Sequence, residues 1–560
     1  MEAPGETAFN PLFRFCYFSN LLILNNYNKK VFFIKNRFPM KMSFNALFYC
    51  SLWLCFLNGV QCQTSPEKIK FTRQGVQRII FDEKQSITMA KLDPKSIIGM
   101  ATMHPQKHYL REQAITQVVQ DQLIVKSQGR SETNIWFGGF NPFVAYTIDL
   151  ASTIGQGAIG YEFSDAERNE RVVIKILFKD SLIVGVQFDL IKNNTPVIQE
   201  KIGLNLGNQL NIKGKIILQM LGSGFTLFHQ GKGIPMVIGQ FDFNKHIDLR
   251  MKKYLYSFQS HLNVALNQGA VHINDIHMAV NTGIGMADIR AITFEDGTPF
   301  LENGRLWYTL SIRGRALPHH IQGVFSLNPS VFDLKLEGII VFDRGDGLLR
   351  NEIASHLFFD RNEKLWRGLT TGFSAFANPE KEKKQLLAIE SKTDPRFGFS
   401  VMKATPFGMI GDIEDPHLLF DRSANKWRML TCENINGYKA VVLESDHWNK
   451  AFKRIAGPVA HNSTGTSIQK IGGKRYCFSG SSERKIFIYS YPDLKELGTL
   501  NMDLPPWDTS SGTRVWPNVL QMPEGYPFRY VALMMDRYQY PYQHGKHWSY
   551  GAVYLYHGHD

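Results

Sequence analysis

Long hydrophobic runs are almost missing from this sequence. The one extended apolar stretch lies within residues 40–62 and spans about 15 residues, too short and too poorly flanked for a membrane-spanning helix. Cysteine is nearly absent from the rest. Of six cysteines, Cys16, Cys50, Cys55 and Cys62 fall in the first 62 residues, leaving only Cys432 and Cys477. Two cysteines make no disulfide scaffold, and both sit in strand-like runs that suit buried free thiols. Helical periodicity is scarce, which argues against an α-rich fold. No phosphate-cradling glycine loop and no Gly-x-Ser-x-Gly elbow occurs, which removes the usual signatures of nucleotide hydrolysis and of α/β hydrolases. No block of Lys and Arg stands out either. The formal charge is +13, but after residue 62 the chain holds 57 basic and 48 acidic residues, interspersed along its length. Nucleic acid is therefore not an expected partner, although a basic surface suits anionic glycans.

What is present is a globular, aromatic-rich composition. The chain is 44% hydrophobic and 20% charged, with Phe 40, Tyr 21 and Trp 9 among 560 residues. That length suits two to four domains, and the aromatics suit all-β cores or sugar stacking. The stretch Met40–Cys62 has one early positive charge (Lys41), an apolar run and a polar exit ending Val60-Gln61-Cys62. These are the marks of a secretory signal peptide, so a secreted or periplasmic protein without a membrane span is expected. A signal peptide belongs at the start of a chain, so residues 1–39 read as an upstream artefact of start assignment or as disordered.

From residue 63 to about 270, short β-like runs alternate with Gly, Asn and Asp turns. Examples are Arg171–Phe178, Leu182–Leu190, Lys215–Met220 and Met236–Phe243. This spacing predicts a β-sandwich of jelly-roll type, with a supporting role ahead of sugar binding.

The second half repeats. Five aromatic strands follow turns and are marked by Trp307, Trp366, Trp427, Tyr476 and Tyr530, at spacings of 59, 61, 49 and 54. Each follows an apolar run: Pro299–Leu301, His356–Phe359, Pro416–Phe420, Ser467–Gln469 and Pro517–Leu520. A repeat of about 50 residues built from short strands is a propeller signature, and five repeats over 280–560 predict five blades around a central funnel.

Residues before the inner strands would converge in that funnel. They are Asp288, Arg290, Glu295 and Asp296; Arg350, Asn351, Glu352 and His356; Asp412, Glu414, Asp415 and His417; His461–Thr464; and Arg514 with Trp516. Several carboxylates with an Arg and a Trp suit sugar chemistry, the acids serving proton transfer and the ring stacking on a pyranose. Two weaker constellations are His272, Asp275 and His277 as a metal site, and Asp343 with Asp346 as a calcium loop. Both fall short: the first reads better as an interdomain strand with surface His, and the second lacks spaced oxygens. No metal or cofactor is expected beyond a structural calcium.

With these residues in hand, the sequence resembles the five-bladed propeller glycosidases of glycoside hydrolase family 43 and the related invertase-like enzymes. Asp415-Pro-His-Leu-Leu-Phe-Asp421 looks like the second Asp-Pro strand of that group, whose Asp tunes the acid or steadies the transition state. The resemblance places the first-blade base or nucleophile near Thr298-Pro-Phe-Leu301, where Asp296 is the nearest acid, 119 residues before Asp415. The chain departs from the family at Asn462-Ser-Thr-Gly-Thr-Ser467, where a catalytic Glu is expected and no acid stands. The proton donor then falls to Glu352, Glu433 or Glu414.

The expectation is a secreted glycoside hydrolase acting on a polysaccharide or its fragments. Asp296, Asp415, Glu352 and Glu433 would be catalytic, and Arg290, Glu414, His417, His461, Arg514 and Trp516 would bind substrate. The alternative is a non-catalytic glycan-binding protein on the same scaffold.

Overall fold

Almost every element is a strand, because the β-branched and aromatic runs noted above are separated by turn residues rather than extended into helical stripes. The computed structural model describes residues 65–203, 210–315, 317–543 and 551–560. The signal-like stretch Met40–Cys62 and residues 1–39 lie outside the described residues. Residues 63–560 form one compact unit.

The second half holds antiparallel arrays of four strands, the first two joined into one eleven-stranded sheet by parallel pairing of Asp333–Asp343 with Gly398–Ile410, and the last carrying Asn501–Met502 as an added parallel edge strand. The first comprises Gly285–Ala291, Arg305–Arg313, His320–Asn328 and Asp333–Asp343, and the second Ile353–Asp360, Leu365–Thr371, Gln385–Ser391 and Gly398–Ile410. The third is Ile413–Asp421, Lys426–Asn434, Tyr438–Ser445 and Lys453–Ala456; the fourth is Thr464–Ile471, Lys474–Gly480, Ile486–Ser490 and Glu496–Thr499. All five aromatic markers lie in the second strand of their sheet.

The first strand of each sheet is its innermost and is buried on both faces along nearly its whole length. These strands touch in order. Gly285–Ala291 packs on Ile353–Asp360, which packs on Ile413–Asp421, then on Thr464–Ile471, then on Val519–Gln521 of the fifth sheet. Asn518 Nδ2 donates to the Ile289 carbonyl over 2.8 Å and so returns the series to its start, closing a ring.

The fifth sheet corrects the expected boundary at residue 63. Its members are Val519–Gln521, Tyr530–Met535, Ala552–His559, the N-terminal strand Lys70–Arg78, which pairs antiparallel with Ala552–His559 from Lys70↔His559 to Arg78↔Ala552, and the short edge strand Asn501–Met502, parallel to Lys70–Phe71. Residues 70–78 thus belong with the end of the chain, because burying Ile69 and Phe71 against Tyr530 and Tyr556 needs a fourth strand there.

The first half is a curled thirteen-stranded system. Two long strands, Ala145–Ser164 and Gln259–Val280, pair with each other along their length and with different partners at their two ends. Gln259–Val280 runs through the expected boundary at 270. Its core is continuous with that of the first sheet, where Met286, Ile289 and Tyr308 join Phe163, Leu218 and Leu262 in one hydrophobic cluster.

Candidate active site at the ring

The innermost strands share one irregularity. Asp288, Ala354, Asp415 and Gly465 have φ of 50°, 56°, 59° and 59°, and each sits at a register shift against the second strand of its sheet. Such bulges bend a strand and re-aim its side chains. Left-handed backbone costs an L-residue about 1 kcal/mol or more, least for Asp and not at all for Gly. Four equivalent bulges thus bring the N-terminal ends of four strands to one place.

Asp415 is held there on several sides. Its carboxylate accepts the Gly465 amide at 2.6 Å and the Thr464 hydroxyl at 3.1 Å, and it lies 3.5 Å from Arg290. Arg290 itself donates to the Thr466 carbonyl at 2.5 Å and is nearly fully buried. Asp288, the equivalent residue of the first sheet, pairs with Arg313 at 2.6 Å, both buried.

Glu414 precedes the bulge and is buried, at 8% exposure. Lys384 Nζ donates to it at 2.6 Å and to the exposed Asp412 at 2.7 Å. Burial and the adjacent Asp415 charge push the Glu414 carboxyl up to about 7, with Lys384 opposing. Burial also raises Asp412, but hydrogen bonds from Lys384, Tyr438 and Asn434 outweigh it and bring that carboxyl down to about 2. Tyr438 and Phe373 flank Lys384 at 5.1 and 4.8 Å, and Arg514 lies over Tyr438 at 5.2 Å. Glu352 is wholly enclosed, and burial lifts it to about 7 against hydrogen bonds from Ser374 N and Oγ, both 2.8 Å.

Two residues beyond the bulges, Arg290, His356, His417 and Ser467 line the ring interior. The imidazoles of His356 and His417 stack at 4.0 Å. His356 accepts the Leu418 amide at Nδ1 and faces Thr293 Oγ1 from Nε2, while burial lowers it to about 3 and keeps it neutral. His417 is itself buried, at 2% exposure.

Other expected residues lie elsewhere. Asp296 follows the first inner strand and caps Thr298 while pairing with Arg361 at 2.7 Å. The neighbouring Glu295 carbonyl accepts the Phe420 amide, five residues past Asp415 and thus about 16 Å along the strand. The expected inner strand Pro299–Leu301 is instead part of a small hairpin at that far end, and the bulge of the first inner strand carries Asp288. A cavity of about 460 Å³ lies there too, lined by Asp296, Leu419, Ile468, Arg475 and Met522, remote from Asp415. Glu433 pairs with Arg454, on the face of its strand opposite to Cys432 and the bulge. His461 stacks on Phe487 and faces Glu483 at 3.0 Å on the fourth sheet. Trp516 is buried against Gly465, where an added Cβ would stand 2.1 Å from its ring, so it offers no open face for stacking. The sequence had no sign of Lys384, Tyr438, Phe373 and Arg313 because they come from outer strands and loops. Asp288-Ile-Arg290 and Asp415-Pro-His417 do share the form Asp-x-base.

Glu414, Asp415 and Cys432 place ligand atoms within 4.8 Å of one another, but the carboxylates already take Lys384, Gly465 and Thr464, and burial raises the Cys432 thiol so that it keeps its proton. Asp343 and Asp346, the two acids of the expected calcium loop, pair with Lys252 and Arg350 at 2.6 and 2.8 Å. His277 hydrogen-bonds Asp275 on the strand Gln259–Val280. Cys432 and Cys477 are buried free thiols.

No protein-family model matches the chain, and no curated protein matches it. Solved structures similar to it are glycoside hydrolases. The GH43_1 enzyme from Xanthomonas citri is 12% identical over 49% of this chain and 88% of that chain, with a TM-score of 0.34. Zg3597, a family 117 glycoside hydrolase from the marine bacterium Zobellia galactanivorans, is 10% identical over 49% and 84%, at 0.34. RS223-Beta-xylosidase is 11% identical over 49% and 93%, at 0.35.

Proposed function

We propose that the ring of five sheets is a five-bladed β-propeller, with the first half a β-sandwich beside it, and that the chain is a glycoside hydrolase acting on a polysaccharide or oligosaccharide. The observation that carries this is Glu414. A carboxyl raised to about 7, next to a second carboxylate and joined through Lys384 to the exposed Asp412, has the character of a general acid. Asp288 then serves as base or nucleophile, and Glu352 is the second protonated carboxyl. Asp415 and Arg290 hold the bulges in place. Tyr438 and Phe373 supply aromatic faces for a sugar ring, and Lys384 and Arg514 bind its hydroxyls. Export guided by Met40–Cys62 belongs to the same proposal and is checked by N-terminal sequencing of protein recovered outside the cell.

A non-catalytic glycan-binding protein is the second reading, and Gly465 favours it. The fourth sheet brings no carboxyl to its bulge, since any side chain there meets Trp516. Oligosaccharides of arabinan, xylan, fructan and galactan distinguish the two. Hydrolysis by the unaltered protein that falls about 10²–10⁴-fold in Glu414→Gln supports the first reading. Binding without any hydrolysis supports the second.

A further inference from the structure

The first half carries a sheet face that is polar where its reverse is core. Trp136, His261 and Glu162 stand in one row across three paired strands. Asn134 and Asn263 form the next row, and Gln259 and Ser164 pair on the other side. The alternate residues Ile135, Phe137, Leu262, Tyr161 and Phe163 point into the hydrophobic cluster. A polar face of this kind is ordinarily left in water, yet Asn134, Glu162, Ser164 and Asn263 are at most 1% exposed.

The cover comes from residues 102–109 and the turn at 165–168, which leave a cavity of about 380 Å³, within the size range of small-molecule sites. Its buried guanidinium is paired, and Lys107 and Asp165 add one further charge of each sign to the lining. Arg168 donates to Glu162 at 2.5 Å through Nε and lies 3.5 Å over the Tyr109 ring, and it reaches Glu132 at 3.1 Å. Trp136 is fixed by its indole N–H donating to Gln259 at 2.8 Å. Ser164 Oγ, buried and lining the cavity, has no hydrogen-bond partner. An unmade buried hydroxyl is costly unless something in the cavity meets it.

We propose that this cavity is a binding site for a neutral, hydroxyl-rich ring, one glycan unit, with Ser164 Oγ meeting a ligand hydroxyl and Trp136 and Tyr109 providing apolar faces. A paired Arg168, with Lys107 and Asp165 opposite in sign, leaves no net charge for an ionic ligand, and burial lowers the His261 imidazole as well. The site depends on no step of the hydrolase reading.

The test is calorimetric titration of the full chain with oligosaccharides of arabinan, xylan, fructan and galactan, alongside Ser164→Ala, Trp136→Ala and Glu414→Gln. Ser164→Ala removes an unpartnered hydroxyl, so its thermal stability stays level while affinity for the bound oligosaccharide drops about 3–10-fold, in line with one lost hydrogen bond. Trp136→Ala drops it further, and Glu414→Gln leaves this binding event unchanged. Hydrolysis of a short substrate, where present, is unaffected by Ser164→Ala. Absence of binding across the panel overturns the proposal, as does binding abolished by Glu414→Gln but indifferent to both Ser164→Ala and Trp136→Ala.

Discussion

The backbone amide of Gly465 donates to the Asp415 carboxylate across 2.6 Å, tying the innermost strands of the third and fourth sheets at their bulges. Asp415 also lies 3.5 Å from Arg290 of the first sheet, so one carboxylate links three of the five sheets. Asp415→Asn keeps an acceptor for the amide but leaves Arg290 without its charge partner in a buried place. Breaking such a pair costs about 3–5 kcal/mol. Urea unfolding checks this. A loss below about 1 kcal/mol would show that Asp415 contributes little to closing the ring, and would return it to a purely chemical role.

Gly465 serves the same link from the other side. With φ at 59° and Trp516 filling the space a Cβ needs, Gly465→Ala strains the backbone and overpacks the ring. The two effects together give a loss of about 2–4 kcal/mol. The measurement is again the unfolding midpoint, and an alanine variant as stable as the parent would mean that the indole moves aside freely.

Glu352 offers a pH-dependent test with a defined sign. Its carboxyl titrates near 4.5 when unfolded and about 7 when folded, because burial disfavours the charge. Between these values the folded state binds more protons than the unfolded one, so stability falls as pH rises from about 4.5 to 7, and the penalty is complete above that. Glutamine has no proton to lose and still accepts from the Ser374 amide. Glu352→Gln is therefore expected to match the parent at pH 4 and to exceed it at pH 8 by up to about 3 kcal/mol. Glu414 titrates in the same window in both proteins, so the difference between their stability curves isolates Glu352. A difference that does not change with pH would contradict the burial-driven shift.

The repeat was legible because every second strand needs an aromatic residue in the inter-sheet core, and that need recurs at each sheet. Its phase was legible in four sheets and wrong in the first. There an extra hairpin at Leu301–Arg305 sits between the inner strand Gly285–Ala291 and the marker Trp307, so the nearest apolar run, Pro299–Leu301, was mistaken for the inner strand. Asp296 is the acid nearest to Pro299–Leu301, whereas the bulge of the inner strand carries Asp288. Asp415 was legible as an acid crowded against a strand start, whereas its bonding to Gly465 and Arg290 depends on bulges that only the folded backbone displays. Lys384 and Tyr438 come from separate strands and reach Glu414 through space, which no local pattern records.

The N-terminal strand was the least legible element, since Lys70 pairs with His559 at nearly the full length of the described chain, and it is also the easiest to test. Phe71 is 5% exposed and packs in a cluster with Tyr530, Tyr554 and Tyr556, so Phe71→Ala removes an aromatic ring from the sheet that joins the two ends. The loss is about 3–5 kcal/mol if the strand is part of the folded core. Val76 lies on the same strand at 49% exposure, and Val76→Ala should change stability by no more than about 0.5 kcal/mol. Hydrogen exchange then separates a closing strand from a loosely attached tail. Amides of residues 70–78 should be protected as strongly as those of 552–559, and Phe71→Ala should weaken both together, because each strand supplies the other's hydrogen bonds. Fast exchange at 70–78 beside slow exchange at 552–559 would mean that the fifth sheet is complete without its N-terminal strand.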